Sequence, residues 1–139
     1  HTHGDGLMHI HPFNKLASGR DAVVGEFFTA FGGFIDDQSF MLDTGETVVE
    51  GFDCGSEPTV LKVARFDADD LSREPEILTE DLANVRFLKN REAFTIAMVP
   101  ESVDPPAPRA ERLSFLDTVD PNSLRSDSPT LATTTTTAD

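Results

Sequence analysis

All four histidines of the chain fall within its first eleven residues, HTHGDGLMHIH, at His1, His3, His9 and His11. They form two His-x-His pairs on either side of Gly4-Asp5-Gly6. A strand turns alternate residues to one face, so His1 and His3 are co-facial if extended, as are His9 and His11. A three-residue turn at Gly4-Asp5-Gly6 pairs His3 with Leu7 and His1 with His9, which brings all four imidazoles to one side. Gly6 suits the left-handed position such a turn requires. A turn shorter or longer by one residue would send the pairs to opposite faces.

Opposed Cβ atoms lie about 4.5–5.5 Å apart, near enough for imidazoles to share one ion at about 2 Å per nitrogen. Imidazole suits zinc, copper or nickel; calcium and magnesium prefer oxygen. The candidate ligands are therefore His1, His3, His9 and His11, the candidate cofactor is zinc or copper, and Asp5 is a candidate acceptor for an imidazole N–H. The alternatives are surface histidines that protonate below about pH 6.5, or a square-planar copper site made from a free amine on His1 together with His3. Asp67-Ala68-Asp69-Asp70 lacks the spacing and glycine of a calcium loop. A Ser/His/Asp triad would have to borrow from the histidine cluster, and no nucleophile stands out.

These side chains belong to a chain of 139 residues, which suggests one main domain. Its 25 Asp and Glu outweigh 11 Lys and Arg to give a formal charge of −14. That charge repels phosphate backbones and anionic membrane surfaces, so no nucleic-acid partner is expected. There is no apolar run of about 18 residues, so this segment is not expected to insert in a membrane. Neither a signal peptide nor an initiator Met is present, which reads as a chain processed or excised from a longer one. Cys54 is the only cysteine. It reads as a small buried apolar residue or as one half of a bridge to a cysteine elsewhere.

The elements that must carry the site follow from spacing. Asp21 offers an N-cap, and Val24, Phe27, Phe28 and Phe31 recur at i, i+3, i+4 and i+7, which predicts a helix near 22–31 with Phe27, Phe28 and Phe31 in the core. Gly32-Gly33 closes it. Residues 40–42 and 47–49 around Asp43-Thr44-Gly45-Glu46 predict a hairpin, and 50–58 a loop. Residues 59–66, 85–88 and 93–99 predict strands, with an acidic loop at 67–76. In the last strand Phe94, Ile96 and Met98 share a face.

The expected fold is α+β, a small mixed sheet with one main helix, β-grasp-like in element order. Residues 1–104 form that domain. Residues 105–120 are a Pro-rich spacer and a short helix marked by Leu113, Phe115 and Leu116. Residues 121–139 are a Ser/Thr-rich tail with too little apolar surface to offset the entropy of ordering.

HTHGDGLMHIHP (1–12) and AVVGEFFTAFG (22–32) resemble a family of uncharacterised actinobacterial proteins, exported or membrane-anchored. That family shares an H-T-H-x-x-G-x-x-H-I hairpin and a G-x-F-F helix. His1, His3 and His9 match its pattern, while His11 stands where an acidic residue is common. The likeness covers about a third of the chain. It implies an extracytoplasmic location and no particular activity.

Three functions remain in view. One is a non-enzymatic metal-binding domain. The second is an interaction or assembly module whose hairpin edge pairs with a partner strand. The third is a metal-dependent enzyme, which would need an open coordination position and a general base that the sequence does not place.

Overall fold

The computed structural model describes residues 7–8, 10, 19–55 and 57–118. Of the hairpin expected at residues 1–11 only Leu7, Met8 and Ile10 are described, none of them in a strand; the rest of it, and with it the start of a β-grasp-like order, lies outside the described residues, as does the tail at 121–139.

Helix α1 (Val24–Ala30) forms where the apolar period predicts it. Its start is not capped by Asp21, which belongs to a 3-10 turn at Gly19–Asp21. The N-cap is Val23, extended and without a side-chain cap. A backbone partner replaces the side chain, because Val24 N–H donates to the Val85 carbonyl at 2.8 Å and Val23 bridges Arg86. The C-terminus closes as read. Gly32 takes φ +83° and donates to the Thr29 carbonyl, while Gly33 donates to the Phe28 carbonyl at 2.9 Å. That pair of reversed bonds satisfies two carbonyls at the helix end and turns the chain sharply. Phe28 is buried, whereas Phe27 and Phe31 are half-buried rings packed beside it.

The chain then enters a three-stranded sheet, β1 (Phe34–Ile35), β2 (Ser39–Met41) and β3 (Thr47–Val49). Directly paired residues share a face. Ile35, Phe40 and Val48 therefore line up on one side, where Ile35 and Phe40 join the core, and the Phe40 ring lies 6.3 Å from that of Phe28. Phe34, Met41, Ser39 and Val49 take the outward face by the same alternation. The expected hairpin of β2 and β3 is present; β1 is an addition, too short to show a period in the sequence.

A second sheet is built on the long strand β5 (Glu57–Asp67), flanked on one edge by β4 (Asp53–Cys54) and β6 (Glu76–Leu78) and on the other by β7 (Glu92–Pro100). Being central, β5 is covered on both faces, so its apolar residues run almost without interruption rather than alternating. Leu61 and Val63 join Val24, Phe28, Ile35, Leu82 and Val85 in the main core, with Phe94, Ile96 and Met98 of β7 packed alongside on the face they were read to share. Ala64 and Phe66 turn the other way and meet Ala93, Ile77 and Leu113.

That second face is closed by the chain beyond Pro100. Lys62, buried on it, donates to the carbonyls of Glu101 at 2.9 Å and Val103 at 3.0 Å and reaches Asp104 at 3.3 Å. Its ammonium can thus be buried because three oxygens replace its water. Pro105 is buried, the Thr95 hydroxyl donates to the Pro106 carbonyl, and α2 (Ala110–Leu113) brings Leu113 onto the sheet.

The α+β class stands as read. Within it, every pairing among the described residues is antiparallel and the strands fall into two sheets, where one mixed sheet was expected. The short links within β1–β2, β2–β3, β4–β5 and β5–β6 explain those pairings, since a parallel pair needs a crossover of about a dozen residues or more; β5 and β7 pair antiparallel across the longer segment 68–91 that holds β6. Three assignments change, the first being the expected loop at 50–58, which holds β4 and the start of β5 at Glu57. Residues 85–88 are not a strand: this backbone bonds the entry to α1, with Phe87 N–H on the Ala22 carbonyl, and Leu88 is exposed. The acidic stretch from Asp67 ends in β6. No helix among the described residues is long and apolar enough to cross a membrane.

Candidate functional site

The candidate ligands His1, His3, His9 and His11 lie outside the described residues, together with Gly4, Asp5 and Gly6 of the expected turn. Among the described residues, no three His, Cys, Asp or Glu side chains converge as a metal site would require. Asp67, Asp69 and Asp70 are each committed elsewhere. Asp70 accepts from the Ser72 N–H and hydroxyl, Asp69 pairs with Arg91, and Asp67 holds two cations.

Those pairs belong to the densest group of charged side chains in the described part, at the end of the second sheet. The register of β5 with its neighbours builds it. Arg65 lies between Glu76 of β6 and Phe94 of β7, and Asp67 lies opposite Glu92. Here an open cleft of about 250 Å³ is walled by Arg65, Asp67, Arg73, Glu76, Lys89 and Glu92, among others.

The Arg65 guanidinium is largely buried over the Phe94 ring, 5.7 Å from its centre. It donates to Glu76 and, at 2.7 Å, to the Arg86 carbonyl. Glu92 is more deeply buried, its side chain 5% exposed. One of its oxygens accepts the Leu88 N–H at 2.8 Å, and the other lies 3.8 Å from Arg65 Nε, too far for a hydrogen bond. Arg65 Nε is accordingly a buried donor without a partner. At the rim, Asp67 accepts from Lys89 at 2.9 Å and Arg73 at 3.1 Å.

The bond from Lys89, reinforced by the Asp69 N–H, holds the Asp67 carboxyl below its ordinary range. The bond to Asp69, with a second to Asp117, raises Arg91 further. The same logic operates in the β1–β2 turn, where Asp36 accepts the Gln38 and Ser39 N–H groups at 2.8 and 2.7 Å and is lowered, first by Gln38.

Chemically, then, the cleft is a set of ion pairs that ties the segments 73–76 and 86–92 to β5. Among its carboxylates, Asp67 is held by Lys89 and Arg73, which favours its charged form and disfavours proton donation from it. Sequence reading passed over this group, though Arg65 between apolar neighbours in Val63-Ala64-Arg65-Phe66 was a signal, since a strand cation flanked this way must find partners.

The two lowered carboxyls predict an acid dependence. Free aspartate titrates near pH 3.9, and Asp36 and Asp67 titrate lower when folded. Their contribution to stability is complete above the unfolded value and disappears as pH falls through the folded ones. Thermal melts of the chain and of an Asp36→Ala, Asp67→Asn variant should differ by a constant amount above about pH 5 and converge below about pH 4. A gap that persists to the lowest pH would place the loss in packing rather than charge.

Of the two readings of Cys54, the bridge to a cysteine elsewhere concerns a partner outside this chain, and burial as a small apolar residue is overturned, because Cys54 is exposed. The reason is its place in β4, a two-residue edge strand paired only with Glu57–Pro58. Comparison of the chain with protein-family models, with curated proteins and with solved structures finds no match in any of the three.

Proposed function

We propose that the chain is an extracytoplasmic, non-enzymatic domain that binds a transition-metal cation, zinc or copper, through His1, His3, His9 and His11. The observation that carries this reading is the spacing. Two His-x-His pairs flank a Gly-Asp-Gly segment that fits a three-residue turn, and only in that register do the four imidazoles meet on one face. A formal charge of −14 supports it by concentrating cations around the domain. The resemblance to exported actinobacterial proteins supports the location.

Protons compete with a metal for imidazole nitrogens, so binding should weaken steeply as pH falls through about 6.5. Capture by carboxylates would persist to about pH 4. The test is equilibrium dialysis of the full chain against zinc and against copper, with elemental analysis across this pH range. One ion per chain at neutral pH, released near pH 6, is expected. Retention down to about pH 4, or no stoichiometric metal, would overturn the reading.

A second reading, an interaction or assembly module that works without metal, is favoured by the apolar outward face of β1–β3.

A further inference from the structure

We propose that the outward face of β1–β3 is a docking surface for a cationic, amphipathic segment of another protein. Its apolar side chains would rest on Phe34, Met41 and Val49, and its Lys or Arg side chains would meet the carboxylates of the sheet's turns.

The face follows from the register. Phe34 pairs with Met41, and Ser39 pairs with Val49, so these side chains stand on the side opposite Ile35 and Phe40. Phe34 is 38% exposed and Val49 56% exposed, with Met41 half-buried beside Phe34. Isolated exposed apolar residues need no explanation, but several on one side of one small sheet mark a surface that another molecule can cover.

Charge selects the occupant. Between Arg20 and Lys62 the chain has no Lys or Arg, but it carries Asp21, Glu26, Asp36, Asp37, Asp43, Glu46, Glu50, Asp53 and Glu57. Five of these nine belong to the sheet's own turns and exit: Asp36 and Asp37 between β1 and β2, Asp43 and Glu46 between β2 and β3, and Glu50 after β3. The neighbours that bond Asp36, Asp37 and Glu50 are an amide, a hydroxyl or backbone N–H groups, all neutral, so their charge is not cancelled. The cations gather elsewhere: Arg65, Arg73, Arg86, Lys89 and Arg91 lie at the end of the second sheet. An apolar face whose turns carry carboxylates, in a stretch with no Lys or Arg between Arg20 and Lys62, complements a basic amphipathic segment. A second copy of this chain would bring the same carboxylates and the same −14 against it.

The test uses two synthetic peptides of equal length and charge, one alternating Lys with Leu and the other Lys with Ser. Each is titrated into the isotopically labelled full chain, with calorimetry for affinity and amide shifts for location. The Lys/Leu peptide should bind at least about tenfold tighter, the equivalent of burying roughly 60 Å² of apolar surface. Its shifts should concentrate in residues 34–50. Val49→Ser and Phe34→Ser should each cut that preference by most of its size; Val49→Ser, at the more exposed position, should leave the melting temperature unchanged. Equal affinity for the two peptides, with shifts scattered over all carboxylates, would reduce the surface to diffuse attraction and overturn the proposal. Self-association of the free chain through residues 34–50 would assign the face to a second copy and overturn it as well.

Discussion

Phe28→Ala should lower the unfolding free energy by about 3–5 kcal/mol, the range for emptying a buried aromatic site. Phe28 is 4% exposed and sits where the helix meets the first sheet, its ring 5.1 Å from Phe31, 6.0 Å from Phe27 and 6.3 Å from Phe40. The pocket it leaves is walled by three other rings and by the apolar side chains of two sheets, which cannot all collapse inward together. A loss of this size is a large share of the roughly 5–15 kcal/mol that holds a domain folded. Phe27→Ala should lose distinctly less, because that ring is only half-buried. Urea unfolding of the two variants measures both values. A loss under about 1 kcal/mol for Phe28→Ala would mean that α1 does not face the core described here.

Gly33→Ala should destabilise by about 1–3 kcal/mol, the cost of forcing extra volume into a packed site. A Cβ at this position would collide with the Met41 carbonyl oxygen and the Phe31 ring. The ring can rotate away. The carbonyl cannot, because it belongs to the strand paired with Phe34 and Ile35. The damage should therefore be local first, with faster amide exchange through Phe34–Met41 than in β5 or β7. Gly32→Ala should act through a different cause, the strain of a side chain at φ +83°, with nothing near enough to collide. If Gly33→Ala were neutral or stabilising, as a glycine replacement in open space can be, the close approach of β1 to β2 would be wrong.

These residues also show what the sequence made legible. The helix was readable because Val24, Phe27, Phe28 and Phe31 repeat at the helical period, and its end because glycine serves both the left-handed turn and the close approach. The β2–β3 hairpin was readable because two apolar runs flank a turn containing Gly45. Strands β5 and β7 showed in their β-branched and alternating residues. In contrast, β1 and β6 span two and three residues, too few to display any period. Residues 85–88 looked like a strand because Val85, Phe87 and Leu88 are apolar, yet their backbone serves the start of α1.

The charged cleft was hidden for another reason. Arg65, Glu76 and Glu92 meet only through strand register, and register between distant segments is not a local property of the chain. Lys62 gave a partial signal, a cation inside a run of buried residues, but its acceptors lie about forty positions away. The histidine cluster is the opposite case, since everything that defines it is contained in eleven consecutive residues.

The claim that those histidines act together is best tested by calorimetric titration of zinc and copper into the full chain extended by one residue ahead of His1, beside the same protein with His9→Ala. The extension removes the free amine from His1 and with it any square-planar site at the chain end. The account predicts one ion per chain in the extended protein and a loss of at least about 100-fold in affinity with His9→Ala, since removing a ligand should exceed the loss of a partner behind one. Affinity that vanishes on extension, and that before extension ignores His9→Ala, would show that only the terminal amine and its neighbours bind metal and that the four imidazoles form no common site.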